Sequence, residues 1–156
     1  MIGPHSPSRH GLVYRRDRFK SGGRAADAFS RGEPLQVKRV LIVDDSRLAR
    51  MALRKSLPPS LSTEVTEAGS GSEALRHIEA SRFDLMFLDL TMPDGNGYEL
   101  LKTLQDTGRT FPTIVVSADV QTMAVERVIK LGAIALVKKS FKSTELSQVL
   151  AQAGLL

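Results

Sequence analysis

Lys38-Arg39-Val40-Leu41-Ile42-Val43-Asp44-Asp45-Ser46 is the stretch on which the fold turns. Four consecutive apolar residues, mostly β-branched, read as a short strand buried on both faces rather than one with a wet side. The run stops at two acids. Ser46 stands where a helix N-cap is expected, because its hydroxyl can accept a backbone N–H that the first helical turn leaves unpaired. Leu48, Met51, Ala52 and Leu57 follow at roughly helical spacing. Pro58-Pro59 ends that helix.

The same unit recurs downstream. Thr63 to Ala68 reads as a second strand, and Gly71-Ser72 opens a helix that runs to about Ala80. Phe83 to Leu88 is a third strand, almost wholly apolar after Asp84. Met92-Pro93-Asp94-Gly95-Asn96-Gly97 reads as a loop, followed by a helix from about Tyr98 to Gln105. Pro112 to Val116 is a fourth strand. A helix from about Val120 to Leu131 ends at Gly132, a natural left-handed cap. Ala133 to Val137 is the fifth strand and Thr144 to Ala153 the last helix. Strict alternation of apolar strands with helices predicts an α/β fold with a parallel sheet covered on both faces. Right-handed crossovers leave few topologies. The expected one is a flavodoxin-like doubly wound five-stranded sheet of order 2-1-3-4-5.

In an open parallel sheet, ligands bind beyond the carboxyl ends of the strands. Asp44 and Asp45 follow the first strand, Asp89 the third, Ser117 the fourth, and Lys138-Lys139 the fifth. The second strand ends in Thr66, Glu67 and Ala68, which offer nothing comparable. Taken singly, each residue has a plainer reading: a helix cap for Asp45-Ser46, a turn for Ser117, a surface amine for Lys139. Their joint placement at strand ends is what points to a site. Three clustered carboxylates repel one another unless a cation compensates. Oxygen donors without His or Cys suit Mg²⁺. A carboxylate can also attack a phosphoryl group to give an acyl phosphate, with the amine and hydroxyl binding the remaining phosphoryl oxygens.

The chain of 156 residues is long enough for one domain with a substantial core, and it contains no cysteine. Disulfides and thiolate metal sites are thereby excluded, and a reducing cytoplasm fits. No apolar run approaches the ~20 residues that span a bilayer, so no membrane association is expected. Residues 1–36 hold seven Arg and Lys against three acids, while residues 37–156 hold fifteen against fourteen. The net charge of +5 therefore comes mostly from the first segment, and the folded part need not bind nucleic acid. Residues 1–36, rich in Gly, Pro, Ser and Arg, read as a basic, disordered extension. Arg15-Arg16 is not the start of an export signal, because Ser21-Gly22-Gly23-Arg24 stands where an apolar stretch would be needed.

Val43-Asp44-Asp45-Ser46, the run from Leu88 to Gly97, Val116-Ser117-Ala118, and Gly132-Ala133 with Lys139 and Phe141 together resemble response-regulator receiver domains. The resemblance covers residues 37–156. It implies that Asp89 is the phosphorylated aspartate and that Asp44 and Asp45 are the acidic pair holding Mg²⁺. Thr91 would give that ion its backbone carbonyl. Ser117 resembles the hydroxyl that reorients toward the phosphoryl group, and Lys139, two residues before Phe141, resembles the family's lysine. The phosphoryl group would come from a histidine kinase or phosphotransfer protein. An output protein would read the surface formed by the fourth helix, fifth strand and fifth helix. The domain would be a monomer, catalysing only its own phosphorylation and dephosphorylation.

Three departures from the family pattern bear on that expectation. Ser140 stands where the family has a proline after a cis bond. A cis bond before another residue costs about 2.5–4 kcal/mol, so a trans or strained loop and a displaced Lys139 are expected there. Leu136 replaces the rotating aromatic residue of the fifth strand, so the usual aromatic swing cannot operate. The sequence ends about one helix after Lys139, which reads as a stand-alone regulator without an output domain. These departures keep a degenerate receiver, acting as a constitutive protein-binding module, as the alternative. An aspartate-nucleophile phosphatase fits worse, because Thr91 stands where its second acid would be. Gly69-Ser70-Gly71-Ser72 lacks a P-loop lysine, and the spacing after Asn96 fails for a calcium loop.

Overall fold

The computed structural model describes residues 37–61, 64–93, 97–118 and 121–156. The reading of residues 1–36 as a basic extension lies outside the described residues, as do those of Thr63, Asp94 to Asn96 and Val120. Five strands alternate with five helices: β1 (Arg39–Val43), α1 (Arg47–Ser56), β2 (Glu64–Ala68), α2 (Gly71–Ala80), β3 (Leu85–Asp89), α3 (Gly97–Asp106), β4 (Thr113–Ser117), α4 (Thr122–Lys130), β5 (Ala135–Lys138) and α5 (Ser143–Gln152). The sheet order is β2-β1-β3-β4-β5 and every neighbouring pair is parallel, as expected for the flavodoxin-like fold.

Side chains alternate across the sheet with the period of two that a strand imposes. Leu41, Val43, Met86, Leu88, Val115 and Leu136 point to the face covered by α2, α3 and α4. Val40, Ile42, Leu85, Phe87, Ile114 and Val137 point to the face covered by α1 and α5. Only β2 departs from the apolar pattern. It lies at the sheet edge, and Glu64, Thr66 and Glu67 keep part of it in contact with water. Charge on an edge strand also blocks pairing with another sheet.

Several boundaries shift for local reasons. Phe83 and Asp84 precede β3 instead of belonging to it. Asp84 Oδ2 accepts hydrogen bonds from the backbone N–H groups of Lys38 and Arg39, both at 2.9 Å, and so fastens the start of β1. Ala133 precedes β5, because Gly132 turns at φ 106° and the Ala133 N–H closes back on the Val128 carbonyl at 2.9 Å. Helix α1 rotates differently from its apolar spacing. Ser46 caps it as expected, accepting from Ala49 N–H at 3.2 Å. However, Leu48 is 78% and Met51 42% exposed, and the buried residue is Leu53. The helix lays Ala49, Leu53 and Ser56, one line at helical spacing, toward the sheet beside a cavity of about 120 Å³. The small side chains on that line leave the space unfilled.

Candidate functional site

Register brings the strand ends to one level. Val43 is opposite Leu88, Asp89 opposite Val116, and Ser117 opposite Lys138. Asp44 therefore emerges from β1 next to Asp89, and Lys139 emerges from β5 next to Ser117. All five residues taken from the strand ends, Asp44, Asp45, Asp89, Ser117 and Lys139, meet on this edge. One carboxylate oxygen from each of Asp44, Asp45 and Asp89 lies within 4.8 Å of the others.

Asp44 is held at every polar atom it has. Its N–H donates to the Ala68 carbonyl at 3.1 Å. Its Oδ1 accepts from Ser46 N–H at 2.9 Å, and its Oδ2 lies 3.1 Å from Lys139 Nζ. Its carbonyl accepts from Arg50 Nη1 at 2.7 Å. Asp45, the next residue, is exposed. Thus the buried acid of the pair is immobilised, while the second presents its carboxylate outward.

Asp89 is 4% exposed. Its Oδ2 is buried and makes no well-aligned hydrogen bond; Lys139 Nζ stands 3.5 Å away as an ion-pair partner. Burial pushes the Asp89 carboxyl up from its ordinary value. The Asp44 charge adds to this, against the pull of Lys139 and the Thr91 backbone amide. Lys139 moves up as well. Burial opposes its charge, but the hydrogen bond it donates to Asp44 and the charges of Asp89 and Asp44 outweigh that. A buried acid made reluctant to ionise, beside an ammonium, is the mark of a site whose charge balance awaits a further group.

Lys139 is not displaced by the loss of proline after it. Among the described residues there is no cis peptide bond. The Lys139 N–H donates to the Ser117 carbonyl at 2.8 Å, extending the β4–β5 ladder by one bond. Its ammonium then reaches both Asp44 and Asp89, while Lys138 remains exposed. Ser117 is 3% exposed. Thr91 is exposed, two residues beyond Asp89, and its backbone faces the site.

Two residues at the site escaped the reading of strand ends. Arg50 lies in the second turn of α1. A helical side chain leans toward the N-terminus, so a long donor one turn past a cap can reach back to the preceding loop. Gly97 opens α3, where a Cβ would stand 2.6 Å from the Asp89 carbonyl oxygen and 3.0 Å from Leu90 Cα. Its position at the end of a Gly-rich loop was legible; the reason, close approach to the β3 backbone, was not.

The family profile described as "Response regulator receiver domain" matches residues 40–151. The chain belongs to this family. The receiver is 33% identical over 113 residues to the chemotaxis protein CheY of Thermotoga maritima, covering 72% of this chain and 94% of that protein. A CheY-like receiver structure from Methanospirillum hungatei superposes with a TM-score of 0.67 at 26% identity, over 76% of this receiver and 94% of that chain. The response regulator TrrA of Thermotoga maritima, solved in complex with Mg²⁺ and BeF, superposes at 0.64 with 27% identity, over 74% and 98% of the two chains. Other curated relatives are longer, and this receiver spans 31% of one and 54% of another. Response regulators are two-component signalling proteins, and this receiver is one of them.

The Mg²⁺ that the family implies can be tested against the residues present. The donor set is oxygen only, as a hard divalent ion requires. Asp89 Oδ2 is a buried acceptor that no hydrogen bond satisfies. Asp45 is exposed toward the same edge. The site fits the ion. Among the described residues no helix is long and apolar enough to cross a membrane.

Proposed function

We propose that the protein is a cytoplasmic response regulator whose receiver accepts a phosphoryl group on Asp89 from a histidine kinase or phosphotransfer protein. One observation carries this reading: Asp89 Oδ2 is buried, bears no hydrogen bond, and lies 3.5 Å from the Lys139 ammonium. An acid kept this way at a sheet's carboxyl edge is a nucleophile lacking its substrate.

In the transfer, an Asp89 oxygen forms a bond to phosphorus as the phosphorus–nitrogen bond of the donor histidine breaks. The electron pair stays with the imidazole, which takes up a proton. Asp44, Asp45, the Asp89 carboxylate and the Thr91 carbonyl would hold Mg²⁺. Bound there, the ion supplies positive charge that keeps the acids ionised and neutralises phosphoryl oxygens. Lys139 binds another phosphoryl oxygen, and for this its ammonium has to move only slightly from Asp89. The Ser117 hydroxyl takes a third. Hydrolysis of the acyl phosphate resets the site, so the chain acts on itself and turns over no external metabolite.

Phosphorylation then biases the surface formed by α4, β5 and α5, which a partner reads. Met123, 82% exposed on α4, is an apolar group available to such a partner. Leu136 is fully buried against the α4 side of the core, so the change is transmitted by Ser117 and the loops rather than by an aromatic swing. The folded domain acts as a monomer and binds neither nucleic acid nor membrane.

The test is intact mass after incubation with acetyl phosphate or beryllofluoride, with and without Mg²⁺, on wild type and Asp89→Asn. A Mg²⁺-dependent adduct on wild type that is absent from Asp89→Asn supports the reading. No adduct on folded wild type would make this a degenerate receiver that binds its partner constitutively.

A further inference from the structure

Arg50 plays no part in the mechanism above, yet it occupies a half-buried position behind the acidic pair. Its Nη1 donates to the Asp44 carbonyl at 2.7 Å. Its Nε lies 3.6 Å from Glu67 Oε1 on β2, and Arg54 Nη1 approaches the other oxygen of Glu67 at 3.9 Å. That Nε is buried and has no hydrogen bond. Gly69, the residue after β2, lies beside the guanidinium: a Cβ there would sit 3.7 Å from Nη1, in ordinary van der Waals contact. Gly69 N–H is itself held by Glu73 Oε2 at 2.8 Å.

A half-buried guanidinium with one buried, unsatisfied donor is costly. A Leu or Met stem would fill the same volume without that cost. What an apolar side chain could not do is fix the Asp44 carbonyl, and with it the plane of the Asp44–Asp45 peptide. That plane sets the direction in which Asp45 leaves the chain. Asp44 is already fixed through both carboxylate oxygens, so Asp45 is the residue whose aim depends on Arg50. Glu67 balances the added charge and orients the planar fork, a two-point arrangement that Arg provides and Lys does not.

Resting on the receiver reading above, we infer that Arg50 is a positioning residue for the cation half of the site: it holds the Asp44–Asp45 peptide so that Asp45 faces the ion. Groups that hydrogen-bond a metal's ligands typically change affinity by about 10–100-fold when removed. Charge alone makes the opposite prediction. Removing a nearby positive charge should strengthen Mg²⁺ binding. The sign of the effect therefore separates positioning from electrostatics.

The experiment is calorimetric Mg²⁺ titration of the full chain, with the melting temperature in EDTA as a control for folding. The variants are Arg50→Met, Arg50→Lys and Arg54→Met. Arg54 touches the same Glu67 but not Asp44, and serves as the loss-of-charge control. Arg50→Met should weaken Mg²⁺ binding by about 10–100-fold. Arg50→Lys should recover part of that loss, and Arg54→Met should bind as wild type or slightly tighter. Wild-type affinity in folded Arg50→Met overturns the inference and leaves the receiver reading standing. If Arg50→Met does not fold, Arg50→Lys decides: wild-type affinity there overturns it equally. Failure of the wild type itself to bind Mg²⁺ would remove both.

Discussion

Lys139 Nζ lies closer to Asp44 Oδ2, at 3.1 Å, than to Asp89 Oδ2, at 3.5 Å. The Lys139 ammonium thus sits nearer the acid of the first strand than the acceptor. Burial and the Asp44 charge push the Asp89 carboxyl up, and the ammonium 3.5 Å away offsets only part of that.

Replacing Asp89 by Asn should therefore stabilise the protein at neutral pH without divalent ions. An acid whose folded pKa is raised favours the folded state only while protonated. That contribution is complete below its ordinary value of about 3.9 and is lost as pH rises through the higher folded value. The melting temperature of Asp89→Asn should exceed that of wild type at pH 7 in EDTA, with the gap narrowing as pH falls through the raised folded value toward about 4. Equal melting temperatures at pH 7 would show that Lys139 already neutralises Asp89.

Magnesium should stabilise the fold by linkage, since the acids come together only in the native state. At 100 times the dissociation constant the gain is about 2.7 kcal/mol. Thermal melts across a Mg²⁺ series should show the rise in wild type. Asp45→Asn should largely abolish it, because Asp45 is the outward-facing member of the cluster.

Lys139→Met should slow formation of the Asp89 adduct from acetyl phosphate. Loss of one preorganised group that stabilises transition-state charge costs about 100-fold or more in rate. The time course of the adduct by intact mass measures this directly. A rate within twofold of wild type would assign the catalytic charge to Mg²⁺ alone.

At Gly97 an added methyl would meet backbone, 2.6 Å from the Asp89 carbonyl oxygen, and backbone cannot rotate aside. Gly97→Ala should cost about 1–3 kcal/mol by chemical denaturation. Because the strain falls on the peptide of Asp89, adduct formation should fall as well. Gly71→Ala is the control, since nothing lies within 4 Å of a Cβ there.

Val40 to Val43 and Leu85 to Leu88 are apolar at every position, and only a parallel sheet buried on both faces accepts such runs. Strand order and the convergence of Asp44, Asp89, Ser117 and Lys139 followed from that, because ligands in this topology gather at the strands' carboxyl ends. Apolar spacing in α1 was a poorer guide. Leu48 and Met51 fit a helical stripe as well as Ala49 and Leu53 do, and only the docking of the helix against β1 and β3 selects between them.

The sequence by itself determined the sheet, its order and the identity of the clustered acids, since these depend on local patterns of burial and on where each strand stops. Only the tertiary structure decided which acid is held and which is open, and that Ser140 leaves Lys139 in place. It alone placed Arg50 of α1 between β1 and β2, against Asp44 and Glu67. Those outcomes depend on distances of a few ångströms between elements remote in the chain. A difference of 0.4 Å in the reach of one ammonium sets which carboxylate it lies nearer, and no residue pattern encodes a distance that fine.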